Sequence, residues 1–214
     1  MRIKFLTSRL LGQQLPPRDP HVESGLDLTR RALLSLLVTS TLGTYFESRV
    51  IAKGRKNDPR RSKLAPGDHL VFADGARVGE EIKPENIPSD SSPVMALPRD
   101  PHTNTVRNRN RLNRLILLRF DPEKLETTTR ERSLDGLVCY SGICTHTGCD
   151  VSEWIKPTEQ LVCPCHASFF DPKNRGRVLG GPAPKPLAIL PLKVANGYLV
   201  ASAPFIGRIG FKKK

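Results

Sequence analysis

Aromatic side chains are scarce: one tryptophan, three tyrosines and eight phenylalanines, 6% of 214 residues, with hydrophobic residues at 38%. A chain this poor in large apolar groups, carrying 19 prolines and 16 glycines, is not a helical bundle; it reads as a loop-rich, mostly β protein. No internal repeat is visible, so one folded head is expected. Cysteine is limited to five residues, too few for a disulfide scaffold. No apolar run reaches the roughly 20 residues that cross a bilayer without mismatch.

Acidic residues are also in deficit, 21 against 34 basic, for a net charge of +13. Such a balance raises nucleic acid as a partner, so the position of the charge matters. Residues 1–63 hold 13 basic and 5 acidic side chains, residues 64–214 hold 21 and 16. The excess is concentrated in the N-terminal third, where targeting and anchoring explain it better. The remainder has no basic run interleaved with aromatics. Its densest patch, Arg107, Arg109 and Arg111 with Arg114, reads as a solvated loop, and no nucleic-acid partner is expected.

Four segments are delimited. Residues 1–31 are basic and end in Leu28-Thr29-Arg30-Arg31; residues 32–46 are apolar; residues 47–63 form a charged linker; residues 64–214 form the head. Twin arginines before an apolar stretch resemble a bacterial Tat signal, an export route for proteins that fold around their cofactor first. The apolar 15 residues serve either as an uncleaved membrane anchor or as the core of a cleaved signal. The absence of an A-x-A site favours the anchor. The expected location is the periplasmic side of a bacterial inner membrane. Residues 1–18 carry four basic side chains and no acid, as mitochondrial presequences do, which makes the mitochondrial inner membrane the second reading.

Within the head, short strands alternate with turn signals. Residues 69–73, 112–120 and 137–140 read as strands, the second holding the buried-type run Leu115-Ile116-Leu117-Leu118. Residues 192–195 and 198–201 flank Asn196-Gly197, a pair suited to the positive φ angles of a type I′ hairpin. The proline-rich residues 84–101 read as an irregular surface loop.

Four of the five cysteines fall within 22 residues, in two boxes: Cys144-Thr145-His146-Thr147-Gly148-Cys149 and Cys163-Pro164-Cys165-His166-Ala167-Ser168. Together they read C-x-H-x16-C-x2-H with one further cysteine in each box. A structural zinc site normally spaces its ligands C-x2-4-C or H-x3-5-H, and a cysteine-only framework leaves both histidines unexplained. Cys139, in an apolar strand, reads as a buried thiol. His21, His69 and His102 have no ligand spacing and read as surface or loop residues; Trp154 reads as a packing residue.

The two boxes resemble those of the Rieske family, and the iron–sulfur subunit of quinol–cytochrome c reductases in particular. That resemblance implies one [2Fe-2S] cluster per chain, with Cys144 and Cys163 on one iron and His146 and His166 on the other. Neutral imidazoles replacing two thiolates raise the potential to between roughly −150 and +300 mV, against about −400 mV for plant-type ferredoxins. Outer N–H groups of such histidines also lose protons more easily in the oxidised state, so the potential is expected to fall with rising pH.

The same resemblance implies a disulfide between Cys149 and Cys165, which places the head in an oxidising compartment. It further implies that Gly180-Gly181-Pro182-Ala183-Pro184 is the proline loop covering the cluster, and that Ser168 donates a hydrogen bond to a cluster sulfide. Phe170 stands where high-potential members carry a donating tyrosine, and Thr147 where mitochondrial-type subunits carry a leucine. Both departures predict a potential in the lower or middle part of the range. The implied fold is all-β: a Rieske-type antiparallel β-sandwich base with a small cluster-binding subdomain.

The function expected is one-electron transfer as the iron–sulfur subunit of a membrane quinol–cytochrome c oxidoreductase, a redox subunit rather than a complete enzyme. Its partners would be quinol and a cytochrome b/c complex, with membrane association through residues 32–46. The alternative is a periplasmic Rieske subunit or carrier serving another oxidoreductase. No mononuclear-iron domain is expected beside the head, so oxygenase catalysis is not.

Overall fold

The computed structural model describes residues 58–89 and 92–211. The expected signal or anchor segment 32–46 and the basic residues 1–31 lie outside them. Among the described residues, no helix is long and apolar enough to cross a membrane.

The run Leu115-Ile116-Leu117-Leu118 shows why the architecture has two layers. It forms strand β4 (Leu115–Arg119), paired antiparallel with β5 (Leu137–Ser141). Because side chains alternate across a strand, Ile116, Leu118, Val138 and Tyr140 enter one core while Leu115, Leu117, Leu137 and Cys139 enter another. Both faces are buried, so the sequence of these strands does not alternate.

The second of those cores belongs to the base. Its antiparallel sheet adds β1 (His69–Phe72), β2 (Val94–Asp100), β3 (Thr105–Val106), β10 (Leu192–Ala195) and β11 (Tyr198–Ala201), in the order β10-β11-β1-β2-β4-β5 with β3 on β2. The first core lies against a separate four-stranded antiparallel sheet, β6 (Glu153–Ile155), β7 (Gln160–Cys163), β8 (Ser168–Asp171) and β9 (Arg177–Gly180). These four strands are inserted between β5 and β10 and form the small subdomain. The all-β expectation holds, with one short α-helix among the described residues, α1 (Thr127–Glu131), capped by the Glu126 carboxylate.

The hairpin at Asn196-Gly197 has φ angles of 52° and 82°, as a type I′ turn requires. Two other expectations are corrected. Residues 84–101 are not an irregular loop: a 310 turn at Pro84–Asn86 leads to β2, an internal strand of the base sheet. Pro98 fits there because its carbonyl faces Arg107 and accepts from that backbone N–H at 2.9 Å. The missing N–H therefore falls on the side away from β1, opposite a loop rather than a ladder. Residues 112–120 are not one strand either. Arg111–Asn113 is a 310 turn, and buried Asn113 donates to the Ser62 and Arg107 carbonyls while accepting from Leu64 N–H. Those bonds hold residues 58–63, the described end of the expected linker, on the base. Asp58 adds an ion pair with Arg109.

Candidate metal centre

The first box begins where β5 ends. Its backbone closes on itself, with Cys144 N–H donating to Cys149 O at 2.8 Å, Gly148 N–H to Cys144 O at 3.1 Å and Val151 N–H to Gly142 O at 2.9 Å. Gly148 sits at φ +82°, which only glycine adopts without strain. The second box spans the four-residue connection between β7 and β8, with Cys163 ending one strand and Ser168 opening the other, the two facing each other in register. A third loop, residues 180–187, follows β9. A Cβ on Gly181 (φ +83°) would lie 2.2 Å from Ala167 O and 2.6 Å from Ser168 Cα, so the glycine allows the third loop to rest on the second.

The structure brings the four expected ligands onto these loops. Cys144 and Cys163 are free and 1% exposed. The His146 and His166 rings are 4.7 Å apart and perpendicular; His146 is half-buried and His166 exposed. Cys149 and Cys165 form a disulfide across the two boxes, as the resemblance implied. The sulfurs of Cys149, Cys163 and Cys165 lie within 4.8 Å of one another, but two of them are consumed in that bond. Two thiols and two imidazoles remain as donors, with thiols inside and imidazoles outside.

Of four buried side-chain polar atoms without a partner among the described residues, Trp154 Nε1 and Asn174 Oδ1 lie elsewhere, and His146 Nδ1 and Ser168 Oγ lie on the two box loops. Buried polar groups left unpaired cost about 1–3 kcal/mol each, so their presence on these two loops fits a bound group with one metal to coordinate and one acceptor to satisfy. Burial pushes the Cys163 thiol up, a penalty that a coordinated cation reverses by holding the thiolate. The donor set therefore fits a two-iron cluster with mixed sulfur and nitrogen ligation. Phe170, fully buried in the core with Cys144 and Cys163, offers no hydroxyl.

Other residues of the site were not legible as such. Thr145, 1% exposed, donates its hydroxyl to Lys185 O in the third loop at 2.6 Å. Ala183 and Leu187 of that loop are buried with Cys144 and Cys163, whereas Gly181 and Pro182 are exposed. Within the arginine patch, Arg109, Arg111 and Arg114 are exposed as expected, while Arg107 is corrected from a solvated charge to a half-buried brace. Arg107 pairs with Asp68 and Asp100, Arg111 donates to Gly148 O and Asp150, and Arg114 pairs with Asp150. Asp68 and Asp150 lie 36 to 39 residues from the arginines they meet, so no local spacing announces them. Phe211 packs its ring beside Gly148, where a Cβ would come within 2.8 Å of it. His69 is likewise corrected: it lies in β1 and contacts Glu81, which also pairs with Arg99. His102 is exposed, Trp154 packs on the core shared with the cluster loops, and burial pushes the Cys139 thiol far up. His21 lies outside the described residues.

Residues 102–191 match the family model described as Rieske [2Fe-2S] domain. The chain is 33% identical over 135 residues to the cytochrome bc1 complex Rieske iron-sulfur subunit of Streptomyces lividans, covering 61% of this chain and 79% of that protein. It is also 33% identical over 145 residues to a Haloferax mediterranei protein named as a Rieske subunit of respiratory nitrate reductase, covering 67% of this chain and 60% of that one. Other relatives with the cytochrome bc1 name are longer, and the chain spans 38% and 24% of two of them. Among solved structures, it is similar to the cyanobacterial plasma membrane Rieske protein of Synechocystis, at 22% identity and a TM-score of 0.34 over 52% of this chain and 86% of that one.

Proposed function

Because the chain belongs to the Rieske [2Fe-2S] protein family, we propose that it carries single electrons as the iron–sulfur subunit of a membrane quinol–cytochrome c oxidoreductase. Cys144 and Cys163 hold one iron, and His146 and His166 hold the other. The cluster, when bound, supplies one-electron redox chemistry at a potential above that of all-thiolate clusters.

The observation that carries this reading is the pair of unpartnered buried atoms, His146 Nδ1 and Ser168 Oγ, on loops that also present two buried free thiols. The thiol side faces the core and the imidazole side faces outward, so His146 and His166 form the edge nearest a docking partner. Ser168, whose buried hydroxyl has no protein partner, would donate it to a cluster sulfide. Relatives named as cytochrome bc1 subunits support quinol and a cytochrome b/c complex as partners.

A second reading, a carrier for another oxidoreductase, is favoured by Phe170 in place of a hydroxyl donor and by the nitrate reductase relative. Arg30-Arg31 before the apolar residues 32–46 support Tat export and membrane attachment, and the Cys149–Cys165 disulfide supports an oxidising compartment such as the periplasm.

Purification of the full chain from its native membranes in mild detergent tests the assignment. Co-eluting b- and c-type haem, with reduction by added quinol, is the expected result. A fraction rich in molybdenum and indifferent to quinol would overturn it in favour of the second reading.

A further inference from the structure

Five cationic side chains line one cleft that none of the four expected ligands lines: Arg132 after α1, Arg175 and Arg177 ahead of and within β9, Lys185 in the proline loop and Arg208 near the C-terminal end. The cleft measures about 380 Å³, and no acidic residue lines it. Arg175 and Arg177 have acids at 3.8 and 3.3 Å, Glu126 and Asp171. Among the described residues, Arg132, Lys185 and Arg208 have no acidic partner. Like charges gathered without counter-charge raise the local potential and favour occupation by an anion.

The floor is of opposite character. Leu187 and Ile189 are buried beneath the cleft, and Ile206, 40% exposed, forms part of its wall. An inorganic anion would leave that surface wet, whereas a ligand with an apolar body covers it. The walls are also fixed before any ligand arrives. Leu187 N–H donates to Gly176 O at 3.0 Å, Ile189 and Ile206 exchange backbone bonds at 3.0 and 2.8 Å, and Arg175 N–H donates to the buried Thr129 hydroxyl at 2.8 Å. Gly176 lies so close to Tyr140 that a Cβ there would come within 2.9 Å of the ring. A preformed cleft loses little entropy on binding.

We propose that this cleft is a binding site for a small organic anion, a carboxylate or phosphate head on an apolar body, built from none of the four cluster ligands and independent of how the cluster is read. The head sits among Arg132, Lys185 and Arg208, and the body lies on Leu187, Ile189 and Ile206.

The test is calorimetric titration of the full chain held in phosphatidylcholine nanodiscs, with phenyl phosphate, inorganic phosphate and benzyl alcohol as probes. Phenyl phosphate should bind at one site, at least tenfold tighter than either of the others. The Arg132→Ala/Arg208→Ala double variant should weaken it at least tenfold with an unchanged melting temperature, while Ile206→Ser should weaken phenyl phosphate and leave inorganic phosphate unaffected. Equal binding by wild type and the double variant, equal affinity for the two phosphates, or no saturable binding up to about 10 mM, which corresponds to under about 2.7 kcal/mol of binding, would overturn the proposal. Nanodiscs containing phosphatidylglycerol identify the source: loss of phenyl phosphate binding there assigns the site to an anionic lipid headgroup, and retention assigns it to a soluble anion.

Discussion

The hydroxyl of Thr145 donates to the backbone carbonyl of Lys185 at 2.6 Å, joining the residue between the two ligand positions of the first box to the proline loop. Two further ties complete a triangle. The Cys149–Cys165 disulfide joins the first box to the second, and the close approach of Gly181 to Ala167 joins the second to the third. Each loop is thus fixed to both others, so three of the four donors are positioned without help from a regular element, Cys163 being the last residue of β7.

Replacing Thr145 with valine keeps its volume and removes the donor. The expected loss is about 1 kcal/mol for the hydrogen bond, or about 2–4 °C in melting temperature for a domain of this size. Thermal unfolding of wild type and T145V checks this, and hydrogen exchange should locate the added opening in residues 180–187 rather than in the base.

Gly181 and Gly148 both have φ near +80°, but their surroundings differ. At Gly181 a methyl group meets the backbone carbonyl of Ala167 at 2.2 Å, which cannot yield without moving the second box; at Gly148 it meets the Phe211 ring at 2.8 Å, a side chain free to swing. Gly181→Ala should therefore cost more than about 2 kcal/mol and Gly148→Ala about 1 kcal/mol, the strain of the conformation alone. Denaturation midpoints of the two variants give the comparison directly.

Much of this site was legible because its donors are local. The boxes lie within 25 residues and declare their chemistry by residue type alone, and Asn196-Gly197 declares its hairpin in the same way. What was not legible depends on distant partners. Arg107 reads as a solvated charge until Asp68, 39 residues away, is folded beside it. Pro98 argues against a strand until the fold shows that its missing N–H faces no ladder. Asn113 delays the start of the expected strand because its amide serves three backbone groups from elsewhere in the chain. Thr145 is hidden for a related reason: between two ligands it looks like a spacer, and its acceptor lies 40 residues on.

Acid should weaken the base before it disturbs the disulfide-tied loops. Partial burial pushes the Glu81 carboxyl up, but hydrogen bonds from Arg99 and His69 outweigh this and leave it below the usual value. The hydrogen bond from Arg60 likewise lowers Asp58 to about 2. A carboxylate with a folded-state pKa below its unfolded one contributes stability above the unfolded value, lost as pH falls through the folded value. Stability should thus be level above about pH 5 and decline between about pH 4.5 and 2. Denaturant titrations across that window, with Glu81→Gln showing a shallower decline, check the assignment.

Ser168 is fully buried and its hydroxyl has no protein partner. Its acceptor is assigned to the cluster, whose reduced form gains more from a donated hydrogen bond than its oxidised form does. Ser168→Ala should lower the midpoint potential with little change in melting temperature, as read by redox titration. An unchanged potential would mean that the hydroxyl faces something else.

Iron and acid-labile sulfide counted on the purified full chain, together with nitrogen hyperfine couplings of the reduced centre by pulsed electron paramagnetic resonance, test the central claim most directly. Two irons and two sulfides per chain with two coordinated nitrogens, one lost in each of His146→Cys and His166→Cys where the centre survives, is the predicted result. Zinc in place of iron, or a two-iron centre with no nitrogen ligand, would contradict it.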